Sequence, residues 1–405
     1  MSGGAQWRVD NGSWQNSGAT VSGLLAGPHG VAFKTMSGWA LPETSNVWVT
    51  DNVTTTVTGT YRFPFTYVTN GSAITITGYI GSDSSVPIPG TINSLPVTSI
   101  GSGAFSSSYG LTSVVISNSL TSIEALAFSS CSSLTNVTMG NGVASIELQA
   151  FSGCISLTNI SLPNSLASIG GYAFSHAGLK NITIPSSVTN IGNGPFWDCL
   201  NLRAITVNPL NAFFTNSVDG ILFDKGQTLL IQYPTGKTGN YAIPNGVTLV
   251  GPYAFADNDS LNSVTIPTGV TGIGVGAFSG CSSLTGVYFQ GNAPVNGSDT
   301  SVFSAAPATV YYLVGTSGWS STFDGRPTAL WNPQAQTSGV NFGVKTNRFG
   351  FNITGSSGII VVVEGSTNMV SWVPVHTNIL TGESSYFSDT QWTNYSGRFY
   401  RFRLP

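Results

Sequence analysis

Histidines suit acid–base catalysis near neutral pH, and this chain has three of them. His29, His176 and His376 lie far apart, one in each of the three domains inferred below. Local spacing assembles no nucleophile–histidine–acid triad, and no G-x-S-x-G, H-E-x-x-H or Walker sequence occurs. His176 is interpreted as a tolerated turn residue. We therefore predict no catalytic residues and no enzyme.

Metal and cofactor sites are also not expected. Asp257 and Asp259 in ADNDSL resemble a fragment of a calcium loop, but no glutamate follows to complete the six to eight oxygens that calcium requires. Four cysteines each follow a repeated Phe by three residues, a spacing that matches no zinc pattern. They are Cys131, Cys154, Cys199 and Cys281. Buried free thiols are the expectation, with a Cys131–Cys154 disulfide left open.

The best binding candidates are polar side chains that recur between buried valines and isoleucines. Neighbouring side chains of a strand point to opposite faces, so these residues should line an outward sheet face. After Val115, they are Thr138, Ser161, Thr183, Thr206, Thr265 and Tyr288. Two interpretations stay open: a solvated face selected for strand propensity, or a hydroxyl-lined surface that binds a protein or a glycan. Ice binding is a remote third.

A repeat of 23 residues positions these side chains. An Ala-Phe or Pro-Phe pair marks each turn, with gaps of 23, 23, 23, 22, 59 and 23 residues. The marker residues are Phe105, Phe128, Phe151, Phe174, Phe196, Phe255 and Phe278. A period of this size predicts a solenoid, in which each coil buries its apolar side against the next. The long gap holds an insert near 208–243, where ILF and TLLIQY predict a β-hairpin; it is either an elongated turn in register or a protruding contact loop.

The remaining segments alternate apolar and polar residues between turns, which predicts small β-sandwiches. The predicted order is a sandwich at 1–63, the solenoid with its caps at 64–331, a linker at 332–339 and a second sandwich at 340–405. The fold class is thus mainly β. Four tryptophans of the first segment either pack its core or form a sugar-stacking platform. They are Trp7, Trp14, Trp39 and Trp48.

Composition excludes several partners. Charged residues make up 7% of the chain, against about 25% in ordinary soluble proteins. A net charge of -3 with 13 Lys and Arg argues against nucleic acid. No apolar run approaches the ~18 residues that span a bilayer. The start, MSGGAQWRVDNGSW, lacks the features of a signal peptide, but the low charge favours an extracellular or cell-surface protein.

Three stretches carry a family resemblance: the unit CSSLTNVTMGNGVASIELQAF, the insert NSVDGILFDKGQTLLIQYPTGKTGNYAIPNGV and the lead-in ITITGYIGSDSSVPIPGTINSLPVTSIGSGAF. From about 65 to 331 the chain resembles the BspA-like leucine-rich repeats of bacterial surface and secreted proteins. The first segment is similar to Ig-like, PEGA-like modules, and the tail to the C-terminal β module of the same proteins. The departures are small: Pro195 replaces Ala in one marker, and the turn after Phe174 is one residue short.

The resemblance implies a curved leucine-rich-repeat solenoid with a strand sheet on one face, and adhesion or partner binding at the cell surface without a cofactor. We predict a non-catalytic recognition protein that binds a protein or a glycan through the solenoid face. The first alternative is a structural subunit that assembles head to tail into a filament or surface layer, since low charge limits self-repulsion. The second is a polysaccharide-binding accessory protein that uses the tryptophans.

Overall fold

The computed structural model describes residues 4–36, 39–295, 301–382 and 384–405 of the 405-residue chain. The backbone divides into two compact units, Met1–Gly192 and Asn193–Pro405, hereafter unit 1 and unit 2. In these ranges the regular structure is β-strand, apart from a short 3-10 turn at Trp392–Asn394. The predicted mainly β class is confirmed. No helix in the described part of the chain has the length and apolar character to cross a membrane.

Unit 1 begins with a four-stranded antiparallel sheet in the order β2-β1-β3-β4. Its strands are β1 (Gln6–Val9), β2 (Gln15–Asn16), β3 (Gly27–Phe33) and β4 (Ser45–Val49). Along the strands, apolar residues on one side of the sheet alternate with polar residues on the other, as the sequence pattern predicts. The described residues before Phe65 form this one sheet, so the second sheet of the predicted sandwich stays a prediction.

The rest of unit 1 is a solenoid of stacked coils. Its strands are β5 (Phe65–Asn70), β6 (Ala73–Tyr79), β7 (Ser85–Pro87), β8 (Thr91–Ile92), β9 (Leu95–Ile100), β10 (Ser113–Val115), β11 (Ser122–Ile123), β12 (Asn136–Thr138), β13 (Ser145–Ile146), β14 (Ser168–Ile169), β15 (Asn181–Ile184) and β16 (Asn190–Ile191). Parallel pairing follows the repeat, since Val114 pairs with Val137 and Ile123 with Ile146, 23 residues on. The predicted solenoid is confirmed.

The marker phenylalanines form a buried ring stack inside these coils. Phe105, Phe128, Phe151 and Phe174 follow one another with ring centroids 5.0, 5.2 and 5.5 Å apart and planes within 20° of parallel. All four described cysteines are free and buried, as expected. The thiol of Cys131 donates to the Phe105 carbonyl oxygen at 3.1 Å, and burial raises its pKa to about 11. Burial also raises the pKa of the Cys154 and Cys281 thiols, so these three cysteines are packing residues with low nucleophilicity.

Unit 2 continues the same construction. Its solenoid strands are β17 (Ala204–Val207), β18 (Phe214–Asn216), β19 (Leu222–Asp224), β20 (Leu229–Gln232), β21 (Gly239–Ala242), β22 (Leu249–Val250), β23 (Leu261–Ile266), β24 (Gly272–Ile273), β25 (Gly286–Phe289), β26 (Thr309–Leu313), β27 (Thr322–Phe323) and β28 (Arg326–Trp331). Strands β19 and β20 form the predicted hairpin. Strand β20 also pairs in parallel with β22, so the insert is an elongated turn in register.

A C-terminal module of two sheets completes unit 2. In the first sheet, β31 pairs with β29, β30 and β34. The second sheet has the order β33-β32-β35. The strands are β29 (Gln334–Gln336), β30 (Gly343–Lys345), β31 (Arg348–Thr354), β32 (Ile360–Ser366), β33 (Val373–Ile379), β34 (Ser384–Asp389) and β35 (Phe399–Arg403). Apolar residues of both sheets share one buried cluster, the arrangement expected of a β-sandwich core.

Candidate binding surface

The candidate binding residues of unit 1 are exposed to solvent, the orientation that the sequence pattern predicts. Thr138, Ser161 and Thr183 are accessible, and each follows a buried Val or Ile of the same coil. Parallel pairing places Val115 beside Thr138 on adjacent coils, and Ser161 and Thr183 hold the same repeat phase in the next two coils. We name Thr138, Ser161 and Thr183, together with the apolar Val115 at the head of the same column, the hydroxyl column of unit 1.

A second polar column lies beside it and was missed by the sequence interpretation. Asn136, Asn159 and Asn181 are exposed and precede the hydroxyl residues by two positions, with one buried residue between, so each pair lies on the same side of its coil. Strands β12 and β15 carry the first and last pairs, and the coil of Asn159 and Ser161 forms no strand there. The same spacing of 23 and 22 residues in the sequence was the signal that could have found them. Amide and hydroxyl groups both donate and accept hydrogen bonds, so this uncharged strip can bind polar partners in many orientations.

In unit 2, two of the predicted binding residues are buried, so their prediction as exposed site residues is wrong. Thr206 is exposed, but Thr265 and Tyr288 are buried. The Tyr288 ring stacks on Tyr311 with centroids 4.8 Å apart, and both rings join the apolar cluster of the C-terminal module. These positions face outward from the coil, yet a segment distant in sequence covers them. Thr265 and Tyr288 therefore contact the chain itself and are not free for a partner.

Polar contacts fix the C-terminal module on this face. The Thr265 hydroxyl donates to the main-chain oxygen of Pro405 at 3.0 Å, and the Tyr311 hydroxyl donates to the Gly358 carbonyl oxygen at 3.0 Å. The Trp331 indole N–H donates to the Ile360 carbonyl oxygen at 3.1 Å. Within unit 2, the strand face of the solenoid is thus covered by the C-terminal β module of the same chain.

The repeats match a known family over half of the chain. Six copies of the BspA type leucine rich repeat region cover residues 92–218 and 233–308. This chain belongs to the BspA-type leucine-rich-repeat family. Proteins of such repeat families are generally scaffolds without catalytic activity that typically bind proteins. Membership indicates a recognition or adhesion scaffold and points to an extracellular or surface location.

Solved structures of bacterial leucine-rich-repeat proteins are similar to this chain. One from Eubacterium ventriosum has 26% identity and a TM-score of 0.47, covering 60% of this chain and 75% of that one. A leucine-rich-repeat protein from Bacteroides ovatus has 25% identity and a TM-score of 0.38, with 56% and 70% covered. A leucine rich cell surface protein from Faecalibacterium prausnitzii has 24% identity and a TM-score of 0.35, with 62% and 88% covered. No curated protein matches the chain.

The histidines of this BspA-type protein are not brought together by the structure. His29 contacts the Asp10 carboxylate and lies 2.8 Å from the Leu25 carbonyl oxygen, and these two acceptors raise its pKa. The pair joins β3 to the turn after β1. His176 is an exposed turn residue with φ of 55°, and His376 is exposed on β33. The carboxylate of Asp259 accepts a hydrogen bond from the Ser282 hydroxyl at 2.6 Å. In the described ranges, no three potential metal ligands converge.

The tryptophans of the first segment divide between two environments. Trp7 and Trp39 are half-buried, whereas Trp14 and Trp48 are exposed, Trp48 by 67%. The Arg8 guanidinium lies over the Trp14 ring, 4.6 Å from its centroid. Trp7 and Trp39 thus fit a packing role best, whereas the exposed Trp48 ring can stack on a ligand.

Acid should loosen the C-terminal module through Glu364. This carboxylate is buried, which raises its pKa, but hydrogen bonds from Arg401 and Arg403 outweigh burial and hold the pKa below its usual value. Ionised Glu364 therefore stabilises the folded state at neutral pH, and that contribution is lost as pH falls below about 4.5 and through the lower folded pKa.

Urea unfolding of the wild type and Glu364→Gln, followed between about pH 7 and pH 3, tests this linkage. We expect the variant to be less stable at neutral pH and to lose less stability on acidification. Exposed Glu147 gives the control variant Glu147→Gln, which should keep the wild-type slope. Equal slopes for all three proteins would contradict the role of Glu364.

Proposed function

We propose that the protein recognises a protein partner outside the cell through the polar strip of unit 1, the hydroxyl column together with Asn136, Asn159 and Asn181. One observation carries the proposal: the equivalent face of unit 2 already holds a β module, through Tyr288, Tyr311 and Thr265. A regular sheet face that binds one β module offers the same spacing of side chains to another.

The chemistry of the strip favours partners that hydrogen-bond without charge. Its exposed side chains are hydroxyls and amides, with Val115 supplying an apolar contact. Uncharged surfaces gain little from electrostatic steering, so we expect ordinary association rates and weak dependence on salt. An avid interaction would then come from many coils contributing similar contacts.

An array of extracellular proteins and glycans tests the proposal. We expect the wild type to bind protein spots, and Thr138→Arg/Thr183→Arg to weaken that binding at least about tenfold, since bulky charge at the centre of a polar interface is not matched by the partner. Leu148→Arg is the control, because Leu148 is exposed but lies outside the strip. Unchanged binding by the double variant would contradict the proposal.

A glycan is the second candidate, favoured by the exposure of Trp48. Sugar rings stack on flat aromatic faces, and Asn46 lies two residues from Trp48 on the same outward side of β4. On the same array, binding confined to glycan spots and lost in Trp48→Ala would select this function over recognition by the strip.

A further inference from the structure

The N-terminal sheet has an apolar face that is only partly covered. Register pairing places Trp7 opposite Phe33 and Val9 opposite Val31, and Val47 lies on the same side in β4. Among these five side chains, Val9 and Val31 are buried and the others are half-buried. A β-sandwich normally buries the whole inner face of each sheet against the other. Part of the covering layer is therefore lacking in the described residues.

Two segments without strand pairing in the described chain lie beside this face. In residues 20–26 and 54–60, backbone N–H groups donate to no backbone oxygen of the described chain. The second segment is seated closely on the sheet, because a Cβ built on Gly59 would lie 2.2 Å from the Phe33 ring. Val57, Gly59 and Tyr61 are half-buried and alternate with exposed residues, which is the burial pattern of a strand, although no strand of the described chain pairs with this segment.

A cavity of about 870 Å³ lies between these segments and the sheet. Its floor includes Trp7, Phe33 and Val47, and residues 17–24 and 50–59 form its sides. Asp51 is the one charged residue among the described residues that line it. The floor of the cavity is apolar, and serines and threonines line much of its sides. Unpaired backbone beside such a floor can accept an added β-strand: the backbone groups bind the strand and the floor takes its apolar side chains.

The chain itself carries a segment with the matching chemistry. Val340, Phe342 and Val344 are 83%, 40% and 56% exposed. Val344 lies on β30, whereas Val340 and Phe342 lie in the turn that leads into it, and the Phe342 ring contacts Phe349. Among the described strands, β30 pairs with β31 alone, so its outer edge is open there. Lys345 ends the segment, and its charge is opposite to that of Asp51 in the cavity. We name residues 340–345 the edge segment.

We propose that the cavity of the N-terminal sheet binds the edge segment of a second copy of this chain. The open edge of β30 pairs with one of the two unpaired segments, its apolar side chains enter the cavity, and Lys345 meets Asp51. Donor and acceptor surfaces differ, so the contact is heterologous and can repeat from copy to copy into a ring or a filament. This assembly does not depend on the polar strip of unit 1.

Sedimentation velocity over a wide concentration range tests the proposal on the full chain. We expect species at multiples of 42.1 kDa that grow with concentration. Val340→Asp/Val344→Asp should weaken association at least about tenfold, because a charge must then lie against the apolar floor of the cavity. The matched control is Val373→Asp, since Val373 is 54% exposed on edge strand β33 and lies outside the edge segment. These residues are exposed, so folding is not at risk.

A charge exchange adds a test specific to the paired surfaces. Asp51→Lys and Lys345→Asp should each weaken association about two- to fivefold, and the double variant should recover it. A synthetic peptide of residues 339–345 should compete with assembly, whereas a shuffled peptide should not. The proposal is overturned by 42.1 kDa monomers at all concentrations, by equal loss in Val373→Asp, or by peptide binding without any self-association.

Discussion

Phe151→Ala is expected to lower the free energy of unfolding by about 3–5 kcal/mol, close to the upper end for a single core substitution. The ring is fully buried between Phe128 and Phe174, with centroids 5.2 and 5.5 Å away and interplanar angles of 8° and 4°. Its removal takes away apolar burial and leaves a cavity that the flanking coils cannot close, because strand pairing on both sides fixes their spacing.

Chemical denaturation gives the size of this loss, and hydrogen exchange gives its location. Because each coil contacts only its neighbours, exchange should increase most in the coils that contain Phe128, Phe151 and Phe174. Leu148→Ala is the control in the same coil; its side chain is exposed, and its cost should stay within about 0.5 kcal/mol. If Phe151→Ala lowers the free energy of unfolding by less than about 1 kcal/mol, the ring stack does not stabilise the solenoid as described.

Asp389→Ala is expected to cost about 3–5 kcal/mol in the C-terminal module. Both Asp389 and its partner Arg398 are buried, and the Arg398 guanidinium donates to the carboxylate at 2.8 Å. The Tyr400 hydroxyl donates to the same carboxylate at 2.7 Å. Alanine leaves a buried positive charge without its counterion, which is much more costly than losing an exposed ion pair.

The matched control removes both charges. In Asp389→Ala/Arg398→Met, no buried charge is left unpaired, so the double variant should unfold at a higher denaturant concentration than the single variant. Loss of the module in the single variant should also expose Tyr288 and Tyr311, which tyrosine emission and apolar dye binding report. A double variant less stable than Asp389→Ala would contradict this account of the ion pair.

Repetition made most of the solenoid predictable. The marker phenylalanines, the cysteine column and the hairpin of the insert follow from positions that recur every 23 residues or from short local patterns. Tyr233 was missed although it stacks on Phe255 with centroids 4.9 Å apart. It precedes Phe255 by 22 residues and takes the marker position inside the long gap, so a search that allowed any aromatic residue would have found it.

The burial of Thr265 and Tyr288 could not be predicted from the repeat. Their repeat phase predicts an outward side chain, and the coil does direct them outward. What buries them is the C-terminal module, and the hydrogen bond from Thr265 to Pro405 joins residues 140 apart in sequence. Contacts of that separation depend on packing between modules, which the alternation of one segment does not encode. The cavity of the N-terminal sheet escaped prediction for a related reason, since alternation predicts strands but not whether each finds a partner.

Hydroxyl-radical footprinting of the intact chain tests the central claim most directly, namely that outward residues of the unit 2 strand face are covered by the C-terminal module. Tyr109 is 62% exposed and serves as the internal reference, whereas Tyr288 is fully buried. Under native conditions we expect rapid oxidation of Tyr109 and none of Tyr288, with Tyr288 becoming reactive in Asp389→Ala. Oxidation of Tyr288 in the native wild type at the rate of Tyr109 would contradict the claim.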